Sequence, residues 1–303
     1  MDFRDPEYSA FGPWAIEISQ EDPPPPLFVP YLTRQEEPLF SVKIPRNIER
    51  RDAVPGMNLY DYLVSLYEDD LVVLHRVGED VEQETFFYRD IQYLRYGEHL
   101  LKGNLFLCTA EQSYDLPFNT TSRDVMQRLL DLIRERYIAG VGRMAMGEEP
   151  DIITGEMSYY FTRLLERERM QHPHNKLLAA QPDTYIGSYE TSALRKLFLG
   201  AVSKTLLESF HLCDGRELII TGRGKAFKYR WQTEYGSDRH FIPVGNIRGA
   251  SWLEDAQETA ILHLNLETAG QTASFAFVRD NPWIPTYDRF LKAVPGREVE
   301  TGN

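Results

Sequence analysis

The sequence predicts an α+β protein, mainly β, built as two sheet domains that each close with a C-terminal helix and are joined by a helical segment. Three observations predict it. Strand-like runs rich in β-branched and aromatic residues occur in two series, and a helical period follows each series. One short step also recurs, "FFYRDI" at 86–91 and "FIPVGNI" at 241–247. Aligned, Phe86, Tyr88, Asp90 and Ile91 fall on Ile242, Val244, Asn246 and Ile247: alternating apolar residues, a small polar acceptor, then Ile. Asp and Asn both bond the backbone ahead of them in such turns, so the polar position has a local reason. A chain of 303 residues is long enough for two domains that each bury a core.

Residues 1–64 read as a proline-rich N-terminal arm. The tetraproline Pro23, Pro24, Pro25, Pro26 must be extended, and Pro30, Pro38, Pro45 and Pro55 follow. Short apolar pieces between them, Phe28-Val29 and 39–44, suggest an arm laid over the folded body, with a proline-rich partner ligand as the alternative. The first repeat then spans 65–137. Its strands are "DLVVLHRV" (70–77), "ETFFYRDI" (84–91), "NLFLCTA" (104–110) and "SYDLPF" (113–118). Behind Thr121-x-x-Asp124, which resembles a capping box, Val125, Leu129, Leu132 and Ile133 repeat at helical spacing.

Residues 138–209 read as a helical connector, with one helix near 156–170 and another from Ser192 to about Phe210. Leu194, Leu197, Phe198 and Ala201 give the latter a broad apolar stripe that packs on a sheet or forms a dimer interface. The glycine-bearing stretch 139–151 reads as a surface loop. The second repeat, 210–294, runs through "RELIITG" (216–222), "AFKYRWQ" (226–232), "HFIPVGNI" (240–247), "AILHLNLE" (260–267) and "ASFAFV" (273–278) to the helix "TYDRFLKAV" (286–294), and 295–303 is a tail.

This order, several strands, an apolar-x-apolar-x-Asp/Asn-Ile step, further strands and a closing helix, resembles the pleckstrin-homology-like domains of bacteria and the related GRAM modules, over about 65–137 and 210–294. The resemblance implies a bent, partly open antiparallel barrel with the helix plugging one end. Half-buried strands need a second surface in any case, and a helical lid supplies one. The first repeat departs from phosphoinositide-binding relatives in having few basic residues.

The formal net charge of −13 argues against broad binding to nucleic acid or an anionic membrane. Only Cys108 and Cys213 are present, too few for a disulfide framework, which fits a reducing cytoplasm. The opening "MDFRDPEYSAFGPW" lacks an apolar core of signal-peptide length, and no stretch reaches the roughly 18 apolar residues of a membrane span. Between 210 and 294, ten basic residues balance ten acidic ones, so the second repeat is the least acidic of the two. There "GRGKAFKYRW" gathers Arg223, Lys225, Lys228 and Arg230. Alternation puts Lys228 and Arg230 on one face, and Phe227, Tyr229 and Trp231 on the other. In lipid-binding relatives a Lys followed by a basic-x-Arg step on an early hairpin grips phosphate, so the resemblance marks these four as an anion-binding set. The same alternation suits a plain solvated strand.

Other candidates are weaker. His172 and His174 lack a third positioned ligand, so no metal is expected. Cys108 reads as a small buried thiol with no base beside it. There is no G-x-S-x-G elbow and no phosphate-binding loop, and Gly222 and Gly224 begin a G-x-G-x-x-G string that Phe227 ends. Neither catalysis nor a cofactor is expected. The expected function is cytoplasmic binding or scaffolding of a protein or peptide partner; the alternative is recognition of a phosphoinositide-like headgroup or phosphorylated small molecule by the basic hairpin.

Overall fold

The computed structural model describes residue 8 and residues 11–147, 157–186, 204–229, 231–256 and 258–294. Mainly β holds. The chain runs through strands β1 (Ile16–Glu17), β2 (Phe40–Pro45), β3 (Tyr60–Leu66), β4 (Asp70–Val77), β5 (Asp80–Phe87), β6 (Tyr93–His99), β7 (Lys102–Cys108) and β8 (Ser113–Asn119). Two helices follow, α1 (Arg123–Tyr137) and α2 (Tyr159–Gln171). Then come β9 (Lys176–Gln181), β10 (Thr184–Tyr185), β11 (Lys204–Leu206), β12 (Ser209–Cys213), β13 (Glu217–Arg223), β14 (Phe227–Tyr229) and β15 (Ser237–Pro243). The last elements are β16 (Gly249–Glu254), β17 (Ile261–Glu267), β18 (Thr272–Val278) and α3 (Ile284–Ala293).

Two compact units share these elements: one draws on 1–91, 100–105 and 115–140, the other on 92–99, 106–114 and 141–303. In the first, β1 to β5 form one antiparallel sheet in chain order. Phe40, Leu66, Leu71 and Phe86 lie side by side across it, as do Val42, Val64 and Val73. All seven are buried, as β-branched and aromatic residues on a covered sheet should be. The helix α1 buries Met126, Leu129, Leu130 and Ile133, one face at helical spacing. Its start differs from the capping box expected at Thr121. Asn119 accepts from the Thr121 N–H at 3.0 Å, a 3-10 turn follows, and the Ser122 hydroxyl turns away to accept from the Ala15 N–H.

The recurring step takes the same shape at both of its sites. Tyr88–Asp90 and Val244–Asn246 are each one 3-10 turn, closed by the following Ile N–H donating to the carbonyl of Tyr88 or Val244, at 3.2 Å in both. Each turn is followed by three strands and a helix, and the strand before it is the last of an antiparallel run, β2-β3-β4-β5 at the first site and β9-β12-β13-β15 at the second.

Three expectations are corrected. The proline-rich stretch 1–64 contributes sheet strands, β1, β2 and most of β3, because 40–45 and 60–66 alternate well enough to pair; a bulge between Ile44 and Pro45 accommodates the proline. Second, the helical connector holds one described helix, α2, and strands β9, β10 and β11. Where a helix was expected to reach Phe210, residues 204–206 and 209–213 are strands, since β12 is hydrogen-bonded between β9 and β13 and buries Phe210 and Leu212. Residues 192–203 of that helix, and the tail 295–303, lie outside the described residues. Third, the sheets are open, and two bent-sheet barrels are not seen among the described residues. In the second unit β6 pairs with β15, from Ser237 opposite Glu98 to Phe241 opposite Leu94. The strand order there is β8-β7-β6-β15-β13-β12-β9, with 106–108 of β7 and 113–114 of β8 counted to this unit. An uncovered β15 would present unpaired N–H and C=O groups, and β6 satisfies them.

Candidate functional site

The four predicted anion-binding residues lie on β13, the hairpin after it and β14, all in the second unit. Each of the three described ones faces its own carboxylate. Arg223 donates to Glu208 Oε1 at 2.7 Å, and its guanidinium lies 4.7 Å from the Phe161 ring centre and 5.2 Å from that of Tyr160. Glu208 is buried and also accepts from the Ser158 N–H at 2.9 Å and the Ser158 hydroxyl at 2.7 Å. Ser158 caps α2, so this carboxylate sits against the positive end of a helix as well as a guanidinium. Arg223 therefore clasps α2 to the sheet. Lys225 Nζ stands 3.9 Å from Glu234, and Lys228 Nζ 3.8 Å from Asp183. These looser, partly exposed pairs are worth little to stability, but they offset the charge an anion would need. Arg230 lies outside the described residues.

Glu208, Glu234 and Asp183 were missed by sequence reasoning. They sit outside the basic run, and only strand pairing and the hairpin turn bring them to it. The aromatic alternation was legible. Tyr229 and Trp231 share a face and stack, ring centres 5.3 Å apart and planes 7° from parallel. Trp231 is 66% and the nearby Tyr235 64% exposed.

Beneath Arg223 the sheet holds a hollow of about 200 Å³. Its floor is a row of short side chains across three strands: Ser209 on β12 opposite Gly222 on β13, itself opposite Asp238 on β15. The next row, His211, Ile220 and His240, is filled by large side chains. Phe275 and Ala276 of β18 line another wall. Tyr93 Oη and His240 Nδ1 form a 2.6 Å hydrogen bond, and the His240 ring meets Phe275 edge to face. Burial, aided by the positive charge of Arg95, pushes the His240 imidazole down to about 3, so it is neutral. Burial pushes the Asp238 carboxyl up, Arg95 opposing and Glu234 adding to the rise. The Asp238 carboxylate makes no hydrogen bond among the described residues. Deeper still, His211 is fully buried, with Nδ1 3.0 Å from Tyr287 Oη, and its imidazole is likewise pushed down to about 3.

The remaining candidates stay structural. The Cys108 thiol is buried, raised by that burial, and donates to the Thr109 carbonyl. Burial pushes Cys213 up to about 12, so neither sulfur is poised as a thiolate. His172 ends α2 and His174 is exposed. Among the described residues no cluster of three metal-ligating side chains occurs, and no helix is long and apolar enough to cross a membrane. Compared with models of known protein families the chain matches none, and compared with curated protein sequences it matches none.

Proposed function

We propose that the protein is a non-enzymatic binding and scaffolding protein of the cytoplasm, built on a duplicated pleckstrin-homology-like plan, that takes a protein or peptide partner on the aromatic surface beside β14. The carrying observation is the stacked, solvent-facing Tyr229–Trp231 pair, with Tyr235 exposed four residues further on in the chain. Large aromatic side chains exposed together are the residues from which interface hot spots are built, rigid and partly polar at the rim. The recurrence of a strand, one 3-10 turn, three strands and a helix supports the duplicated plan. Binding of an anionic headgroup through Arg223, Lys225, Lys228 and Arg230 gains less support, because three of them already face Glu208, Glu234 and Asp183.

A peptide-display selection on the immobilised full chain tests the proposal. Enriched peptides should lose about tenfold or more in affinity against Trp231→Ala and Tyr229→Ala, a hot-spot-sized loss. Peptides that bind the variants as well as the original chain, or no enrichment at all, would remove this surface as the partner site.

A further inference from the structure

The hollow over Gly222 has a counterpart that shows what the sheet does when it needs only to pack. Because Phe86 and Ile242 stand two residues before matching 3-10 turns, the two sheets can be laid on each other residue by residue. Leu71 opposite Phe86 then corresponds to Leu218 opposite Ile242, and Leu66 to Cys213. Two pairs further along, Tyr62 corresponds to Ser209, His75 to Gly222 and Glu82 to Asp238. In the first sheet Tyr62 and His75 stack, with ring centres 4.4 Å apart and planes 13° from parallel. In the second sheet both rings are missing and about 200 Å³ stands open.

We infer that this hollow is a binding site for a small organic cation, an amine or amidinium on a flat apolar body. An apolar cavity of roughly 150 Å³ accepts a benzene ring, so this one takes a ring and a short polar head. Ile220, Phe275 and Ala276 supply the apolar wall. Charge decides the head. Arg223 is bonded to Glu208, and Lys225 is turned toward Glu234. Asp238 is the lining carboxylate with neither a hydrogen bond nor an ion pair within 4 Å among the described residues. Arg95, the nearest basic influence, lies over the Phe106 ring at 5.4 Å instead of bonding to Asp238. An ammonium or amidinium N–H donating to Asp238 forms a charge-assisted bond in a low-dielectric setting, and an anion would meet Asp238 and Glu208 together.

Calorimetric titration of the full chain with benzylamine tests the assignment, with benzyl alcohol and benzoate as neutral and anionic controls of the same size. Benzylamine should bind saturably and more tightly than either control. Asp238→Asn, which keeps shape and removes charge, should weaken benzylamine about tenfold and leave benzyl alcohol unchanged. Gly222→Val should abolish binding of both, with circular dichroism confirming the fold; should that variant not fold, Asp238→Asn alone decides. Trp231→Ala should change nothing, which keeps this site distinct from the peptide surface. No saturable benzylamine binding, equal binding of benzoate, or an unchanged affinity in Asp238→Asn overturns the inference.

Discussion

The sheet of β2 to β5 and the sheet of β9, β12, β13 and β15 share strand order, with matching register over their last three strands, yet they spend their interiors differently. Where the first sets Val64, Val73 and Glu84 in a row, the second sets His211, Ile220 and His240. Where the first stacks Tyr62 on His75, the second has Ser209 and Gly222. The first sheet buries Ser41, Lys43, Ser65 and Asp70, and the second unit buries Gln181, Glu208, His211, Glu217 and Asn281. Similar strand pairing thus tolerates both a filled interior and a partly hollow one. Buried polar groups cost free energy unless bonded, so the half that sets them around an open hollow is where recognition chemistry is to be sought.

The sharpest way to break that comparison is through the ion pairs. Glu208→Ala should cost about 3–5 kcal/mol, because it strands a guanidinium and a helix cap that the carboxylate now serves. The first unit's Asp61, which accepts from Arg76 Nε at 2.9 Å, is half-buried, and Asp61→Ala should cost about 1 kcal/mol. Denaturant midpoints of the two variants measure the contrast, and equal losses would show that the polar interior carries no special weight.

Acid should distinguish the halves next. The His211 imidazole is held down to about 3, below its ordinary value near 6.5. Between those values the unfolded chain takes up a proton that the folded chain refuses, so this histidine makes stability fall as pH drops below about 6.5, by about 1.4 kcal/mol per pH unit. About 2 kcal/mol should therefore be lost between pH 6.5 and 5. His240, held down equally, acts in the same sense, so His211→Val, which installs the residue the first sheet carries there, should remove about half of the histidine slope; an unchanged slope would assign the acid sensitivity elsewhere.

A smaller effect comes from exchanging the fillings. Tyr62→Ser gives the first sheet the second sheet's residue and should cost about 1 kcal/mol through the lost stack on His75, read as a lowered melting temperature. Smallest of all, Lys228→Glu should shift stability by less than about 0.5 kcal/mol, since its pair with Asp183 is loose and partly exposed. A larger loss would mean that the basic hairpin has a structural part that its geometry hides.

Much of the fold was legible where local pattern and final pairing agree. "DLVVLHRV" is β4 to the residue, 113–118 lies within β8, and the helical periods after 118 and before 294 became α1 and α3. The failures have physical causes. "KLLAAQ" at β9 has no β-branched residue, and Leu and Ala favour helix when read alone; only its neighbour β12 makes it a strand. Leu206, Leu207 and Phe210 fit a helical spacing and a strand almost equally, and β11 and β12 settle the matter through pairing. At the site, the basic run could be read from adjacency, but its carboxylate partners could not. The hollow was invisible for a related reason: it consists of short side chains on strands that meet only after folding.

Strand β6 has one further consequence. It lies early in the chain, between the 3-10 turn at Tyr88–Asp90 and β7, yet it extends the sheet that holds His240 and Asp238. A gene cut near residue 138 would leave the later piece without its neighbour along β15, and a bare row of amide groups invites other chains to dock there. The two halves of the chain are therefore expected to be inherited and expressed together, with the downstream half soluble only when residues 93–99 are supplied, either in the same polypeptide or as an added peptide.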